Sequence, residues 1–273
     1  MRKMKRASLL KLGSCLVTML FILFVQGCGQ NELILNSDTR YPTTYKKQDA
    51  TTLIQMRREF ATANPFLTSS ITDFGFCGFL DNLLPAPWPA RIPDLTRSEA
   101  INATQSFIAQ NSSFLGVKPS EKVTFSRVDS FTVSDGSVKW HLSSNLQKQD
   151  TLEVYDTHLN FSLTNGKITS CEGNWYPAIY VPAKINVNKD RVKSILLNKV
   201  VYLSDIAGRP IPMTITAKSL ETAAFSNMIY PLKTTAKIEL HVVWVVSIPD
   251  VFYVVYLDVM SGEIIGGFPT VYS

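Results

Sequence analysis

Apolar and polar residues alternate most clearly in the stretch from Val154 to Asn174. In its first half, every second residue belongs to one largely apolar set: Tyr155, Thr157, Leu159, Phe161 and Leu163. The residues between them are polar: Asp156, His158, Asn160 and Ser162. This period of two predicts a strand with one buried face. Asn165-Gly166 follows, a dipeptide that favours a type I′ hairpin turn because both central residues take positive φ. A returning strand is predicted to begin with Lys167 to Cys171.

Four elements are predicted before this hairpin. The pattern Thr96-Arg-Ser-Glu99 is a capping box, in which the Thr hydroxyl and the Glu carboxylate satisfy exposed N–H groups. It predicts a helix that reaches about Gln110. Two alternating runs joined by a Ser-Asp-Gly-Ser turn predict a second hairpin from Val123 to Ser144. A helical stripe with a weak apolar face predicts a short helix from Asp49 to Ala63.

The C-terminal third combines a helix with strands. A helical stripe follows Asn188, formed by Val192, Ile195, Leu196 and Val200. The runs Lys237 to Ile248 and Val251 to Val259 are too apolar to alternate, which is typical of strands covered on both faces. Asp258 to Glu263 is predicted to turn the chain into a further strand at Ile264.

The first 27 residues have the composition of an export signal. An apolar run from Cys15 to Val25, short for a transmembrane helix, follows five cations, Arg2, Lys3, Lys5, Arg6 and Lys11. It ends at Gly27-Cys28, which resembles the lipobox of bacterial lipoproteins. We therefore expect Cys28 to be acylated after removal of residues 1–27 and to anchor the protein by lipid in the cell envelope, on the periplasmic face or the cell surface. The alternatives are an ordinary secretory signal and an uncleaved anchor helix.

The net charge of +5 comes entirely from this signal segment. Without its five cations, 27 − 5 = 22 basic residues face 22 acidic ones. Charge therefore gives no support for nucleic-acid binding. The mature chain is expected to be close to neutral.

Two segments lie between the signal and the periodic part of the chain. Residues 28–65 are polar and mixed, and we expect most of them to form a tether between the lipid and the domain. Residues 66–95 are rich in Phe and carry four prolines between Pro85 and Pro93, which exclude helix and central strand there. We expect an extended arm that packs its aromatic side chains on the domain; an aromatic ligand-binding loop is the alternative.

Two cysteines, Cys77 and Cys171, remain after the signal and the lipidated cysteine are set aside. An even pair in an exported chain predicts a disulfide, because exported proteins fold in an oxidising compartment. The bond would tie the arm to the returning strand of the central hairpin. The alternative is two buried thiols that act as small apolar side chains. Their spacing matches no metal motif.

Catalytic motifs are absent from the sequence. The three histidines, His141, His158 and His241, stand outside any His-Glu-x-x-His pattern, and we expect structural roles for them. There is no Gly-x-Ser-x-Gly motif, P-loop or dinucleotide fingerprint. Asp258 and Glu263 bracket a turn, and turn capping explains them better than a catalytic pair does. We expect a protein that is not an enzyme and uses no metal or cofactor.

Two motifs carry a resemblance to a known family. The hairpin from Val154 to Asn174 resembles the core of the fungalysin/thermolysin propeptide domain, and Tyr253 to Ile265, with its Asp and Ser-Gly-Glu, is similar to the end of a PepSY domain. Their order resembles the propeptide region of thermolysin-like metalloproteases. The resemblance implies an α+β fold of antiparallel sheets with packed helices, in two tandem subdomains: a propeptide-like domain at 96–185 and a PepSY-like domain at 186–273.

The resemblance also suggests a function. Such propeptide domains chaperone and inhibit the protease to which they are attached, and this chain ends at Ser273 without a protease domain. We therefore expect a module that binds a secreted or envelope metalloprotease in trans, to inhibit or chaperone it. The alternative is a structural or ligand-binding envelope lipoprotein without an inhibitory role.

Overall fold

A computed structural model describes residues 40–82, 95–134, 136–204 and 208–270 of the protein. The described chain is α+β, with antiparallel sheets and packed helices, which confirms the predicted class. The helices are α1 (Ala50–Ala63), α2 (Arg97–Gln110), α3 (Ser112–Leu115), α4 (Lys189–Leu196) and α5 (Ala217–Glu221). The strands are β1 (Thr43–Lys46), β2 (Leu67–Ile71), β3 (Cys77–Asn82), β4 (Phe125–Thr132), β5 (Val138–Ser144), β6 (Lys148–Gln149), β7 (Leu152–Glu153), β8 (His158–Thr164), β9 (Lys167–Asn174), β10 (Val200–Ser204), β11 (Pro210–Thr214), β12 (Ala224–Lys233), β13 (Lys237–Ile248), β14 (Tyr253–Asp258) and β15 (Ile264–Pro269).

The first sheet has the strand order β2-β3-β9-β8-β5-β4. Its central hairpin, β8–β9, is the one predicted from alternation, and both turn residues take positive φ, 49° at Asn165 and 72° at Gly166. Leu159, Phe161 and Leu163 are buried beneath α1, α2 and α3. The predicted second hairpin is also confirmed, as β4–β5. One face of this sheet is therefore core and the other carries polar side chains.

The helices over the first sheet begin where the capping residues predict. The Thr96 hydroxyl accepts from the Glu99 N–H, and the Glu99 carboxylate accepts from the Thr96 N–H, so the capping box of α2 is present. Asp49 caps α1 in the same way, by accepting from the Thr52 N–H. Phe60 of α1 stacks on Phe114 of α3, with ring centroids 4.1 Å apart. This contact places α1 in the core.

The second sheet is built around β13. One edge of β13 pairs with β12 along its length, and the other pairs with β1 near its start and with β14 near its end; β15 then pairs with β14. The predicted apolar runs are these central strands. Helices α4 and α5 cover one face through Val192, Leu196 and Leu220. The opposite face buries Val243, Val254 and Tyr256.

A third group of buried residues joins the two sheets, and we call it the junction core. It consists of Phe76, Val154, Tyr176, Ile179, Ile229, Ile238, Leu240, Val242 and Val259. The short ribbon β6–β7 leads into it, where the Tyr155 N–H donates to the Ile229 carbonyl over 2.8 Å. Tyr155 therefore lies outside β8, on the second sheet, although its spacing placed it on the buried face of the central strand.

The predicted tether is part of the fold from Arg40 onward. Strand β1 pairs with β13, and the buried Thr43 hydroxyl accepts the Tyr180 N–H over 2.7 Å. The polar composition of this segment hid these pairings, because they are made with residues far away in the chain. Residues 1–39, which contain the signal segment and Cys28, lie outside the described residues.

The predicted arm forms two strands of the first sheet. β2 and β3 pair with each other, and β3 pairs with β9, so this segment extends the sheet at its edge. Only residues 83–94, which hold the four prolines, lie outside the described residues. The chain from Gly266 is part of the second sheet: β15 runs to Pro269, and Phe268 packs against Tyr256. Among the described residues, no helix is long and apolar enough to cross a membrane.

Candidate functional site

The outer edge of the second sheet carries exposed apolar side chains. Strand β15 is the last in its sheet and, among the described residues, pairs only with β14. Its backbone therefore has one edge of N–H and C=O groups that no described strand satisfies, the usual template for pairing with another chain. Ile264 is 42% exposed and Phe268 is 36% exposed. We call this strand and its free side the β15 edge.

A groove of about 250 Å³ follows the β15 edge on the face that α4 covers. It lies between β15 and the ribbon β10–β11, and its lining includes Leu196, Val200, Tyr202, Ile215 and Ile264. Val200 and Tyr202 are largely exposed there. The groove is narrow and apolar, so it fits a side chain next to an added strand.

Two glycines let β15 pack closely against β14. A Cβ on Gly267 would lie 2.7 Å from Tyr253 Cε1 and 2.7 Å from the Val254 carbonyl oxygen, which is too close for any side chain. A Cβ on Gly266 would be tight against Tyr256, at 3.2 Å. Glycine at the centre of β15 therefore serves the close approach of the neighbouring strand.

The other face of the β15 edge carries an aromatic cluster. Tyr230 and Tyr256 have ring centroids 4.5 Å apart, Tyr155 lies 5.5 Å from Tyr230, and Phe268 lies 6.0 Å from Tyr256. Tyr256 is buried, whereas Tyr155 and Phe268 reach solvent. Aromatic side chains with one exposed side are enriched at protein interfaces. The β15 edge therefore has apolar contact area on both faces.

A polar cluster fixes the turn that leads into β15. Oδ1 of Asp258 accepts from the Met260 and Ser261 N–H groups over 2.9 and 2.8 Å, which makes the capped turn predicted for this residue. Its Oδ2 lies 2.8 Å from His241 Nδ1 and accepts the Tyr41 hydroxyl over 2.9 Å. Glu263 takes part through its backbone, because its carbonyl accepts the Asp258 N–H.

These contacts shift the pKa values of Asp258 and of Tyr41. Burial by itself raises the pKa of Asp258, but the hydrogen bonds from His241, Ser261, Tyr41 and Met260 outweigh it and hold the pKa well below its usual value. Burial, followed by the charge of Asp258, raises the pKa of Tyr41. The carboxylate is thus ionised at neutral pH, and it ties the start of the described chain to the β14–β15 turn.

Chemistry at this cluster is limited by its composition. His241 Nε2 is buried without a hydrogen-bond partner among the described residues, Nδ1 faces the Asp258 carboxylate, and the ring lies edge-on to that of Tyr41 with centroids 6.3 Å apart. Within the described ranges, no three His, Cys, Asp or Glu side chains come together as metal ligands. The contacts of the cluster indicate a structural role, because they position β15.

The structure brings together Cys77 and Cys171 but does not bond them. Both are buried free thiols in the core of the first sheet. A hydrogen bond with the Cys77 thiol, together with burial, raises the pKa of Cys171. The arm and the returning strand therefore meet where the disulfide was predicted, and its formation remains a prediction.

The remaining histidines have separate surroundings. His141 stacks on Phe131, with ring centroids 5.3 Å apart, and its Nδ1 lies 3.0 Å from Ser162 Oγ. His158 is half-buried at the start of β8. Sequence reasoning missed Tyr41, which lies in the segment interpreted as tether. Its only local signal is that it is one of two tyrosines, with Tyr45, in a largely polar stretch.

Comparisons with known proteins give little further information. No protein-family model matches the chain, and no curated protein matches it. Among solved structures it is similar to the Bacillus megaterium YpeB C-terminal domain, with a TM-score of 0.33 and 10% sequence identity over 82% of this chain and 98% of that one.

Proposed function

We propose that this protein is an envelope lipoprotein whose folded part binds a protein partner in trans at the β15 edge. The partner that we propose is a secreted or envelope metalloprotease, which the module inhibits or chaperones. The single observation that carries the binding site is the open apolar edge of β15, flanked by the groove and the aromatic cluster. The choice of partner rests on the propeptide-like motifs at Val154 to Asn174 and Tyr253 to Ile265.

An extended segment of the partner adds to β15 as a further strand. Main-chain hydrogen bonds supply affinity in this mode, and the side chains alternate between the groove on one face and the aromatic cluster on the other. Pro269 at the end of the strand has no N–H to donate, so it sets a limit to the pairing. The mature chain is nearly neutral, so the affinity should depend weakly on salt.

The site is tested by placing a charge on the edge. The chain from Gly29 onward is mixed with metalloproteases encoded beside it, and complex formation and peptide cleavage are followed. Phe268→Lys and Ile264→Lys should each raise Kd by about tenfold or more, because a charge in the centre of an apolar contact is desolvated. Phe131→Lys is the matched control, since Phe131 is an exposed aromatic on β4, the edge strand of the first sheet.

The proposal fails if none of these proteases binds or loses activity at micromolar concentration. It fails at the level of the site if Phe131→Lys weakens binding as much as Phe268→Lys does. If no protease binds or is inhibited, the alternative function, that of a structural or ligand-binding lipoprotein, would be favoured.

The lipid anchor has its own test. Mass spectrometry of the mature N-terminus is expected to show an acylated Cys28. Cys28→Ala is expected to release the protein from membranes, since the variant lacks the residue that carries the acyl chains needed for stable anchoring. A mature chain that begins elsewhere, or a wild-type protein found free of the membrane, contradicts this part of the proposal.

A further inference from the structure

Alternate residues of β15 direct their backbone groups to opposite sides of the strand, as in any antiparallel ladder. The Thr270 N–H, just after β15, donates to the Phe252 carbonyl over 2.8 Å, on the β14 side. The ladder continues from there without a register shift as far as Gly266. Thr270 and Gly266 therefore face β14, whereas Gly267 and Pro269 face outwards. Because proline has no N–H, Gly267 supplies the outward donor in this half of the strand.

Gly267 also determines what the side chain of an added strand meets. A residue paired with Gly267 directs its side chain to the same face of the sheet as a Cβ on Gly267 would point. On that face, Tyr253 Cε1 lies 2.7 Å from the position of such a Cβ, so the Tyr253 ring covers the glycine. Both residues line the groove. The side chain of the paired residue therefore enters the groove beside the Tyr253 ring.

The groove has the size of a pocket for one large side chain. Its volume of about 250 Å³ is below the range of about 300–1,000 Å³ that is usual for sites of small organic ligands. Leu196 and Ile215 in its lining are buried, whereas Val200 and Tyr202 are 47% and 59% exposed and would be covered by a bound side chain. An aromatic side chain gains a ring contact with Tyr253 in addition to the apolar area that it buries. The groove therefore favours an aromatic residue.

Lys199 is the charged residue in the lining of the groove. It is exposed, and it forms no ion pair with any residue that the structure describes. Side chains two positions apart on a strand lie on the same face, roughly 7 Å from each other. An acidic residue two positions from the aromatic one would therefore lie on the groove face and complement the Lys199 ammonium. Charge thus favours an acidic segment over a basic one.

We infer that the strand which adds to β15 carries an aromatic residue opposite Gly267 and an acidic residue two positions from it. The aromatic side chain fills the groove, and the acidic side chain faces Lys199. The residue between them directs its side chain to the aromatic cluster on the other face. The inference rests on strand addition at the β15 edge, which is part of the proposed function, and it adds the residues by which the partner's segment is recognised.

The test measures binding of the peptide Ac-Thr-Glu-Val-Phe-Val-Glu-Thr-NH₂ to the full-length chain in detergent. Gly266-Gly267 is the only Gly-Gly pair in the sequence, so glycine labelled at both its carbonyl carbon and its nitrogen identifies the Gly267 amide resonance by its coupling. The peptide is expected to bind with Kd below about 1 mM, to shift this resonance and to protect the Gly267 amide from hydrogen exchange. The Gly266 amide, which faces β14, should change much less.

Matched changes in the peptide test each side chain. Alanine in place of phenylalanine should raise Kd about tenfold or more, because the groove is then left unfilled. Lysine in place of both glutamates should raise Kd about threefold or more, because like charges then meet at Lys199.

Matched variants of the protein test the groove. Lys199→Gln should remove most of the difference between the glutamate and lysine peptides, whereas Lys218→Gln, at an exposed lysine on α5, should leave it unchanged. Tyr202→Ala should weaken binding of the phenylalanine peptide about threefold. Tyr180→Ala, at an exposed tyrosine outside the groove, is its control.

Four outcomes overturn the inference. Three concern the peptide: no binding at about 5 mM, equal Kd for the phenylalanine and alanine peptides, and binding that leaves the Gly267 amide unchanged. The fourth is a Gly267 amide already protected without peptide, in a protein with the mass of two chains by light scattering, since a second copy would then occupy the edge.

Failure of the inference and failure of the proposed function give different results. Metalloproteases that bind, together with equal Kd values for the phenylalanine and alanine peptides, would overturn the inference and leave the function intact. Peptides that bind with the expected differences, together with no binding of any metalloprotease, would support the inference and overturn the choice of partner.

Discussion

The two sheets are each built on a central hairpin, but the hairpins are held in different ways. In the first sheet, β8–β9 has a two-residue turn, one buried face and one polar face, and its elements are near neighbours in sequence. In the second sheet, β13–β14 is apolar on both faces, and distant residues secure it. Tyr41 reaches Asp258 across 217 positions, and Trp244 Nε1 donates to the Val187 carbonyl over 2.7 Å.

This difference shows where a binding edge can form. The apolar residues of the first sheet are buried in a single core beneath the helices, so its outer face is polar. The second sheet has apolar residues on both faces, and at β15 no further described strand covers them. Long-range contacts such as those of Asp258 stabilise this strand while leaving its outer edge open.

The largest expected effect comes from breaking the junction core between the two sheets. Tyr176 is buried, its ring lies 5.6 Å from that of Tyr45 and 5.4 Å from that of Phe76, and it belongs to neither hairpin. Tyr176→Ala should lower the free energy of unfolding by about 4 kcal/mol, because a large aromatic leaves a cavity. Denaturant unfolding should also change from one transition to two. Tyr180→Ala, at an exposed tyrosine nearby, is the control and should have an effect below about 1 kcal/mol.

The next effect belongs to the second hairpin alone. Asp258→Ala should lower the free energy of unfolding by about 3 kcal/mol, since five donors around a buried carboxylate lose their acceptor. Asp73→Ala, which breaks the exposed Lys47–Asp73 ion pair, should change it by less than about 1 kcal/mol. Equal losses in the two variants would mean that the buried cluster does not hold the hairpin.

The same residue gives a pH dependence with a definite sign. The pKa of Asp258 is lower in the folded chain than its ordinary value of about 4, so its stabilisation is complete above that pH. It is lost as the pH falls towards the folded-state pKa, because the unfolded chain then binds the proton more strongly. Thermal unfolding from pH 6 down to pH 2 should show a loss for the wild type that is smaller in Asp258→Asn.

Sequence reasoning predicted the local elements well and the long-range ones poorly. The capping box at Thr96, the Asn165-Gly166 turn and the apolar run of β13 are each encoded by neighbouring residues, and each is confirmed. The role of Tyr41 depends on a partner more than two hundred residues away, which periodicity cannot indicate. The open edge of β15 was missed for the same reason, since it is defined by elements that meet only in the fold.

A smaller effect is expected from oxidation of the first core. Cys77 and Cys171 lie together on β3 and β9, and their disulfide should raise the free energy of unfolding by about 2 kcal/mol. We expect a value at the lower end of the usual range because the bond forms inside a packed core. Mass spectrometry of the exported protein should find the bond, and unfolding with and without reductant should give the difference. Cys171→Ser should abolish that difference; an exported protein with two free thiols would contradict the prediction.

The smallest effect compares the two hairpin turns themselves. Gly166 closes β8–β9 with φ of 72°, and Phe252 precedes β14 with φ of 49° in the same left-handed region. Gly166→Ala should lower the free energy of unfolding by about 1 kcal/mol, because a Cβ is unfavourable at positive φ. Phe252→Gly should stay within about 0.5 kcal/mol of the wild type, since relief of the same strain offsets the loss of a half-exposed ring and the entropy of a new glycine. Chemical denaturation of both variants measures the pair. If Phe252→Gly instead proved as destabilising as Gly166→Ala, the Phe252 ring would be holding the β13–β14 turn by packing, and that turn would depend on long-range contacts as the rest of its hairpin does.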